Sequence, residues 1–220
     1  MTTIGIIGGS GALGFGLSLR WADAGQDVIV GSRRLEGAAS AADEISRICK
    51  ERGRSASVRG MLNPDAAAAS DIIVLAVPFA QQNEALDAIA SGLVGKILVD
   101  TTVPLVPPKV GTVQLPPEGC SALRVRQRLN DGARIVSAFQ NVAADKLRSL
   151  EPIACDVLVC SDDKDARQIV ISLAESIGLK AYHAGPLENA AAAEALTSVL
   201  ITINRQFKCQ AGIRIAGIEE

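Results

Sequence analysis

Aromatic residues are scarce. Phe, Trp and Tyr make up 3% of the 220 residues, too few for a surface that stacks unpaired bases. Histidine occurs once, at His183. A Cys/His nucleophile pair or a histidine-based metal set cannot be built from that. Five cysteines stand at positions 49, 120, 155, 160 and 209, with no C-x-x-C pair. This spacing excludes a zinc site, and an odd, scattered set suits a reducing cytoplasm rather than a disulfide framework. Cys155 and Cys160 read as core thiols at the two ends of one buried strand. No apolar run reaches the ~18 residues of a membrane span. The chain enters a strand pattern straight after Met1, so no signal peptide is expected. A long basic stripe is missing too. The formal net charge is −2, and Arg124, Arg126 and Arg128 read as one solvated helix face. Neither a nucleic-acid partner nor a membrane is expected.

What is abundant is Ala, Val, Ile, Leu and Gly, within 48% hydrophobic residues. That is the composition of buried parallel strands covered by helices. Strand patterns fall at 3–7, 27–31, 55–59, 72–76, 96–100, 134–138, 156–160 and 179–183. Helical patterns fall between them, at 12–24, 35–52, from 63, 81–91, 118–130 and 164–177, with a long Ala-rich helix at 188–207. The alternation predicts an α/β fold, a doubly wound Rossmann-like parallel sheet with a small C-terminal helical extension. Residues 1–140 would form the nucleotide-binding domain and 141–220 a small C-terminal part. The stretch 101–117 carries five prolines and is the longest irregular segment. Loops of that length in compact domains are commonly functional, and it is expected to wall the substrate site.

Gly9, Gly11 and Gly14 fit G-x-G-x-x-G between the first strand and the first helix. In that context Gly9 allows the tight turn, Gly11 admits a pyrophosphate and Gly14 lets helix and strand pack closely. Ser10, Ala12 and Leu13 complete the turn, and the free N–H groups of the helix start complement phosphate charge. The end of the second strand selects the nucleotide. An NAD protein places Asp or Glu there; this chain reads Gly31-Ser32-Arg33-Arg34. Ser32 can hydrogen-bond a 2′-phosphate, or cap the next helix. Arg33 offers a guanidinium fork and Arg34 adds charge, so NADP(H) is expected over NAD. Val77, Pro78 and Phe79 lie at the end of the fourth strand, on the edge where nucleotides bind.

Catalytic motifs are sparse. G-x-S-x-G, paired carboxylates and a lysine-centred motif are all missing, and His183 reads as structural. Hydride transfer between two cofactors tolerates that poverty, because the cofactors carry the chemistry and the protein holds two rings in contact. A reductase of a small imine or keto substrate would want a proton donor. A non-catalytic NADP-binding sensor is a third possibility.

Five stretches together resemble the NADPH-dependent reductases of the deazaflavin coenzyme F-420: Ile6–Gly16, Val30–Arg34, Ala76–Phe79, Val136–Phe139 and Ala184–Leu187. The resemblance spans nearly the whole chain. It implies direct hydride transfer between NADPH and coenzyme F-420, and a homodimer. Ser10, Ser32 and Arg33 would hold the 2′-phosphate side of NADP. Val103, Pro104 and Leu105 would line the deazaflavin pocket with Phe139, Gln140 and Val142, and Gln140 and Asn141 would position the ring. The sequence departs from the family at two points. Gln140 stands where a histidine is usual, and Gly37 replaces a basic residue near the start of the second helix.

Overall fold

The computed structural model describes residues 2–130 and 132–218. Six strands form one parallel sheet: β1 (Thr3–Ile7), β2 (Asp27–Ser32), β3 (Ser57–Leu62), β4 (Ile72–Leu75), β5 (Ile97–Asp100) and β6 (Arg134–Ser137), in the order β3-β2-β1-β4-β5-β6. Alternate residues feed two apolar layers. Ile4, Ile6, Val28, Val30, Val74 and Val99 join one. Ile7, Ile29, Ile73, Leu75 and Leu98 join the other. Strands buried on both faces must be apolar throughout, which is why β1, β2, β4 and β5 read as continuous hydrophobic runs.

Helices α1 (Ala12–Asp23) and α2 (Leu35–Glu51) cover the first layer; α3 (Asn63–Ala68), α4 (Gln82–Ile89) and α5 (Ser121–Leu129) cover the second. The chain crosses from β3 back to β4, on the far side of β1. The strand order therefore reverses between β1 and β4, and a crevice opens outside their carboxyl ends.

The C-terminal third departs from a simple extension of this sheet. A short helix, α6 (Ala144–Arg148), follows β6. Its five residues leave no readable helical period in the sequence. The chain then returns, and β7 (Asp156–Val159) and β8 (Lys180–His183) pair in a separate two-stranded parallel sheet. An antiparallel bridge, Ser137 to Cys160, joins this ribbon to the edge of the main sheet. α7 (Lys164–Glu175) packs behind it, and α8 (Ala190–Phe207) closes the fold. The first apolar layer continues across residue 140, taking in Leu147, Val157 and Val170.

Side-chain ties from α1 and α8 hold these parts together. Arg20 is buried, and its guanidinium donates to the carbonyls of Leu147 (2.9 Å), Lys146 (2.8 Å) and Glu151 (2.6 Å). It thereby satisfies the free carbonyls at the end of α6. Trp21 Nε1 donates to the Leu173 carbonyl of α7 at 3.0 Å. From α8, the buried Glu194 carboxylate accepts the N–H groups of Ser121 (2.6 Å) and Ala122 (3.1 Å) at the start of α5.

Beside it Asp100, fully buried at the end of β5, accepts from Ser121 Oγ (3.0 Å) and from Thr102 N–H (3.1 Å). Burial pushes Asp100 up to about 6. Burial and the neighbouring Asp100 push Glu194 up to about 8. Both carboxyls hold protons in the folded state that the unfolded chain releases from about pH 4 upward. Stability should therefore fall as pH rises from about 5 to 8. In Glu194→Gln that fall should become shallower, as measured by urea unfolding at a series of pH values. An unchanged slope would assign the pH dependence elsewhere.

Candidate dinucleotide site

The turn after β1 is built by close approach. Gly8 adopts φ +81°, and a Cβ there would stand 2.6 Å from the Ala76 carbonyl oxygen. The left-handed residue is thus Gly8, one position before the Gly9 to which the sequence motif gives the tight turn. Gly9 is needed for space instead: its Cβ would lie 2.9 Å from the Ile6 carbonyl oxygen and 3.0 Å from Val30. A Cβ on Gly14 would meet the Gly8 carbonyl oxygen at 2.5 Å, so α1 presses directly on the turn. Gly11 differs from these. Its Cβ would have one near neighbour, the Gly8 carbonyl oxygen at 3.2 Å, and its φ of −78° suits any residue. A side chain at Gly11 is less crowded by the fold than one at Gly8, Gly9 or Gly14, and it would stand where a ligand approaches the backbone of the turn. α1 has no side-chain cap and no acid in its first turn. The amides at Ala12 and Leu13 and the positive helix end are left for an anion.

A cleft of about 620 Å³ opens in front of this turn. Gly8, Ser10 and Gly11 line its phosphate end. Ser32, Arg33 and Arg34 line the β2 side, with Ser10 Oγ and Ser32 Oγ 3.3 Å apart. Arg33 and Arg34 are exposed, and neither forms an ion pair with a described residue. Ala76, Val77 and Pro78 make the opposite wall, and Gln81, just before α4, with Glu84, Ala85 and Ala88 on it, extends that wall. Asn63, the first residue of α3, also lines the cleft. Two unpaired guanidiniums, two hydroxyls and an uncapped helix start fit a dinucleotide carrying a 2′-phosphate.

Other expected site residues fall elsewhere. Gly9 and Gly14 shape the turn from behind and do not line the cleft. Leu13 packs on the core. Ser32 does not cap α2: Arg34 holds the cap position without a side-chain bond, and Ser32 Oγ accepts the Arg34 N–H at 3.4 Å and the Ser10 hydroxyl at 3.3 Å. Phe79 turns away from the cleft, and the Arg124 guanidinium stacks on its ring at 4.6 Å. A cation–π contact holds it there. The Arg face of α5 is also paired rather than merely solvated, because Arg126 bonds Asp162 and Glu188, and Arg128 bonds Asp87. His183 is exposed and its Nδ1 accepts the Gly185 N–H.

The expected deazaflavin wall is only partly open. Val103 and Leu105 are half-buried and Pro104 is buried; none of the three lines the cleft. Phe139, Gln140, Asn141 and Val142 are all buried. Phe139 takes a left-handed φ of +71° and meets Trp21 edge-on, with centroids 5.8 Å apart. That costs a non-glycine residue roughly 1–3 kcal/mol and marks an over-determined site. Gln140 does not offer its amide N–H to a ligand. It donates to the Asp100 carbonyl (2.9 Å) and Ser137 Oγ (2.8 Å). Asn141 donates to the Ala193 carbonyl and to Thr197 Oγ1 of α8. β5 and β6 thus draw in the Gln140 amide and α8 the Asn141 amide, which no local pattern in the sequence encodes. Gly8 and Asn63 line the cleft although the sequence reading did not place them in the site. A fourth glycine beside the motif was the available signal for Gly8; Asn63, ahead of a proline, reads only as a helix opener.

Sheet order, glycine turn and basic strand end define a Rossmann-type NADP-binding protein. A family model described as NADP oxidoreductase, coenzyme F-420-dependent, matches residues 3–104. An F-420-dependent NADP reductase of Methanocaldococcus jannaschii is 39% identical over 98% of this chain and 99% of its own length. One from Methanothermobacter thermautotrophicus is 42% identical over 99% and 96%. The chain belongs to the coenzyme F-420-dependent NADP oxidoreductase family. A crystal structure from Arthrobacter sp. FB24 shares the fold, with TM-score 0.80 at 24% identity, covering 99% of this chain and 100% of that one. An imine reductase from Myxococcus stipitatus also shares it, at TM-score 0.59 and 20% identity, but this chain covers only 62% of that one.

Arg33→Ala should weaken NADPH binding about 30-fold, or ~2 kcal/mol. NADH binding should change less than threefold. Fluorescence titration with both nucleotides measures this, and equal losses would remove Arg33 from the 2′-phosphate.

Proposed function

We propose that the protein moves a hydride between NADPH and coenzyme F-420, with Arg33, Arg34, Ser10 and Ser32 holding the 2′-phosphate. When both are bound, NADPH supplies the hydride, the deazaflavin accepts it and a proton follows from solvent. The protein's task is then positioning. The observation that carries this reading is the chemistry of the cleft. Its described lining contains no His, Cys, Lys or Tyr, and its only acid is Glu84. A site built for an alcohol or imine would place a proton donor there. The near-full-length match to two F-420-dependent NADP reductases supports the same reading.

Gly8, Gly11 and the first turn of α1 receive the pyrophosphate, and Val77 and Pro78 pack beside the nucleotide. Val103, Pro104 and Leu105 border the deazaflavin. Phe139, Gln140 and Val142 brace that border from behind, since Gln140 fixes the Asp100 carbonyl just before the loop. Residues 1–140 carry the nucleotide and 141–220 buttress it. Four of the five cysteines are buried and all are free, which fits a reducing cytoplasm.

The reading includes a homodimer. The long loop is tied to α8 through Ser198 Oγ to the Thr112 carbonyl and Thr202 Oγ1 to the Gly111 carbonyl. Beside these ties Val113, Val199 and Phe207 are exposed at 44%, 45% and 66%. A second copy covering this face would remove them from water. Val199→Asp should halve the mass seen by light scattering; a monomeric native protein would contradict the dimer.

The reaction itself is tested by mixing protein, NADPH and oxidised coenzyme F-420 and following the deazaflavin absorbance. Protein-dependent bleaching with NADPH, and little with NADH, is expected. NADPH binding without bleaching would keep the cofactor and overturn the acceptor.

A further inference from the structure

One polar side chain in the cleft has no task within the fold. Asn63 is only 5% exposed, yet it lines the cleft between Ser32 and α4. Its Oδ1 is buried without a hydrogen-bond partner among the described residues. No described residue bonds its Nδ2 either. The backbone makes room for the amide: a Cβ on Gly31 would stand 2.9 Å from Asn63 Oδ1. Leaving a buried amide unpaired costs roughly 1–3 kcal/mol. Gln82, Thr102, Glu118 and Gln140 also bury an oxygen without a partner among the described residues, but those residues lie outside the cleft lining; Asn63 lies in it, where a ligand can complete the amide.

The surroundings narrow down that ligand. The phosphate end of the cleft, at Gly8–Gly11, and the 2′-phosphate end, at Ser32–Arg34, are both accounted for. Between them lies space bordered by Ala85 and Ala88 of α4 and by Val77 and Pro78, small or apolar side chains that leave room for a base. The Nδ2 of Asn63 could donate to a phosphate, but its unpartnered Oδ1 needs a donor, which an ionised phosphate does not offer. A side-chain amide offers one acceptor and one donor side by side. Adenine presents the complement along its 6-amino and N7 edge, the pairing that asparagine uses to recognise adenine in DNA.

We propose that Asn63 is the residue that reads the adenine of NADP(H): its amide turns so that Oδ1, sealed from the cleft in the free protein, accepts from the 6-amino group while Nδ2 donates to N7. This rests on the NADP reading above. The hypoxanthine analogue of NADP+ tests it, because an oxygen replaces the amino group and both edge atoms become acceptors. Isothermal titration of the full-length protein should give the adenine form about 10-fold tighter binding than the hypoxanthine form, or ~1.4 kcal/mol. In Asn63→Ala and in the shape-conserving Asn63→Leu, that preference should fall below twofold. The melting temperature without nucleotide should stay level or rise, since an unsatisfied polar group has gone, while the rise on adding NADP+ should shrink.

A preference that survives both substitutions would overturn the assignment, whether or not overall affinity falls. A lower melting temperature with the preference intact would make Asn63 structural. If native protein bound neither form, the NADP reading would fail along with it. If native protein bound both equally, only the role of Asn63 would fail.

Discussion

The contact between Gly14 and the Gly8 carbonyl is the constraint on which the rest of the site depends. Because no Cβ fits there, α1 starts hard against the end of β1. That placement aims an uncapped helix start at the crevice between β1 and β4. The same turn binds Gly9 N–H to the Gly31 carbonyl at 2.9 Å, so the phosphate end and the Ser32–Arg34 end are held in register. Sheet order supplies the crevice; the glycine turn makes it a phosphate site.

Polar groups around the crevice divide into two kinds. Buried ones towards β5 and β6 are engaged with the protein: Asp100 with Ser121 and Thr102, Glu194 with α5, Gln140 with Ser137, Asn141 with α8. They fix the loop after β5 and the strained Phe139. The ones lining the cleft, Arg33, Arg34 and Asn63, lack ion-pair or hydrogen-bond partners within the described chain. Bonding is incomplete on the first side too, where Gln82 Oε1, Thr102 Oγ1 and Gln140 Oε1 are buried without partners among the described residues; what sets the cleft apart is two exposed guanidiniums without ion pairs beside an uncapped helix start, charge that a phosphate ligand completes. The described cleft lining holds no His, Cys, Lys or Tyr, and the two carboxyls with raised pKa, Asp100 and Glu194, are buried outside it, in keeping with a protein that orients two redox partners.

The sheet could be read from the sequence because each central strand is buried on both faces and each is bounded by Gly, Pro or Asp. β1 runs from Thr3 to Ile7 in both readings. The cofactor turn was legible because glycine motifs depend on local sterics. The C-terminal third was less so. β7 and β8 look like further strands of the main sheet, and only the unforeseen α6 and the bridge at Ser137 turn them into a separate ribbon. Gln140 and Asn141 carried the right chemistry for a pocket, but α8 and the Asp100 carbonyl claim their amides. Tertiary capture of that kind has no signature in nearby residues. Phe79 is similar, drawn off the cleft by Arg124, which lies 45 positions away in the chain.

The account rests on direct hydride transfer from nicotinamide to deazaflavin with no side chain intervening. Its sharpest measurement is isotopic. NADPH deuterated separately at each face of nicotinamide C4 is turned over once with coenzyme F-420, and the reduced deazaflavin is analysed by mass spectrometry and NMR. Deuterium from one face, and only that face, should arrive quantitatively on the deazaflavin ring. Loss of the label to water, or transfer from both faces, would contradict a site that holds two rings in fixed contact.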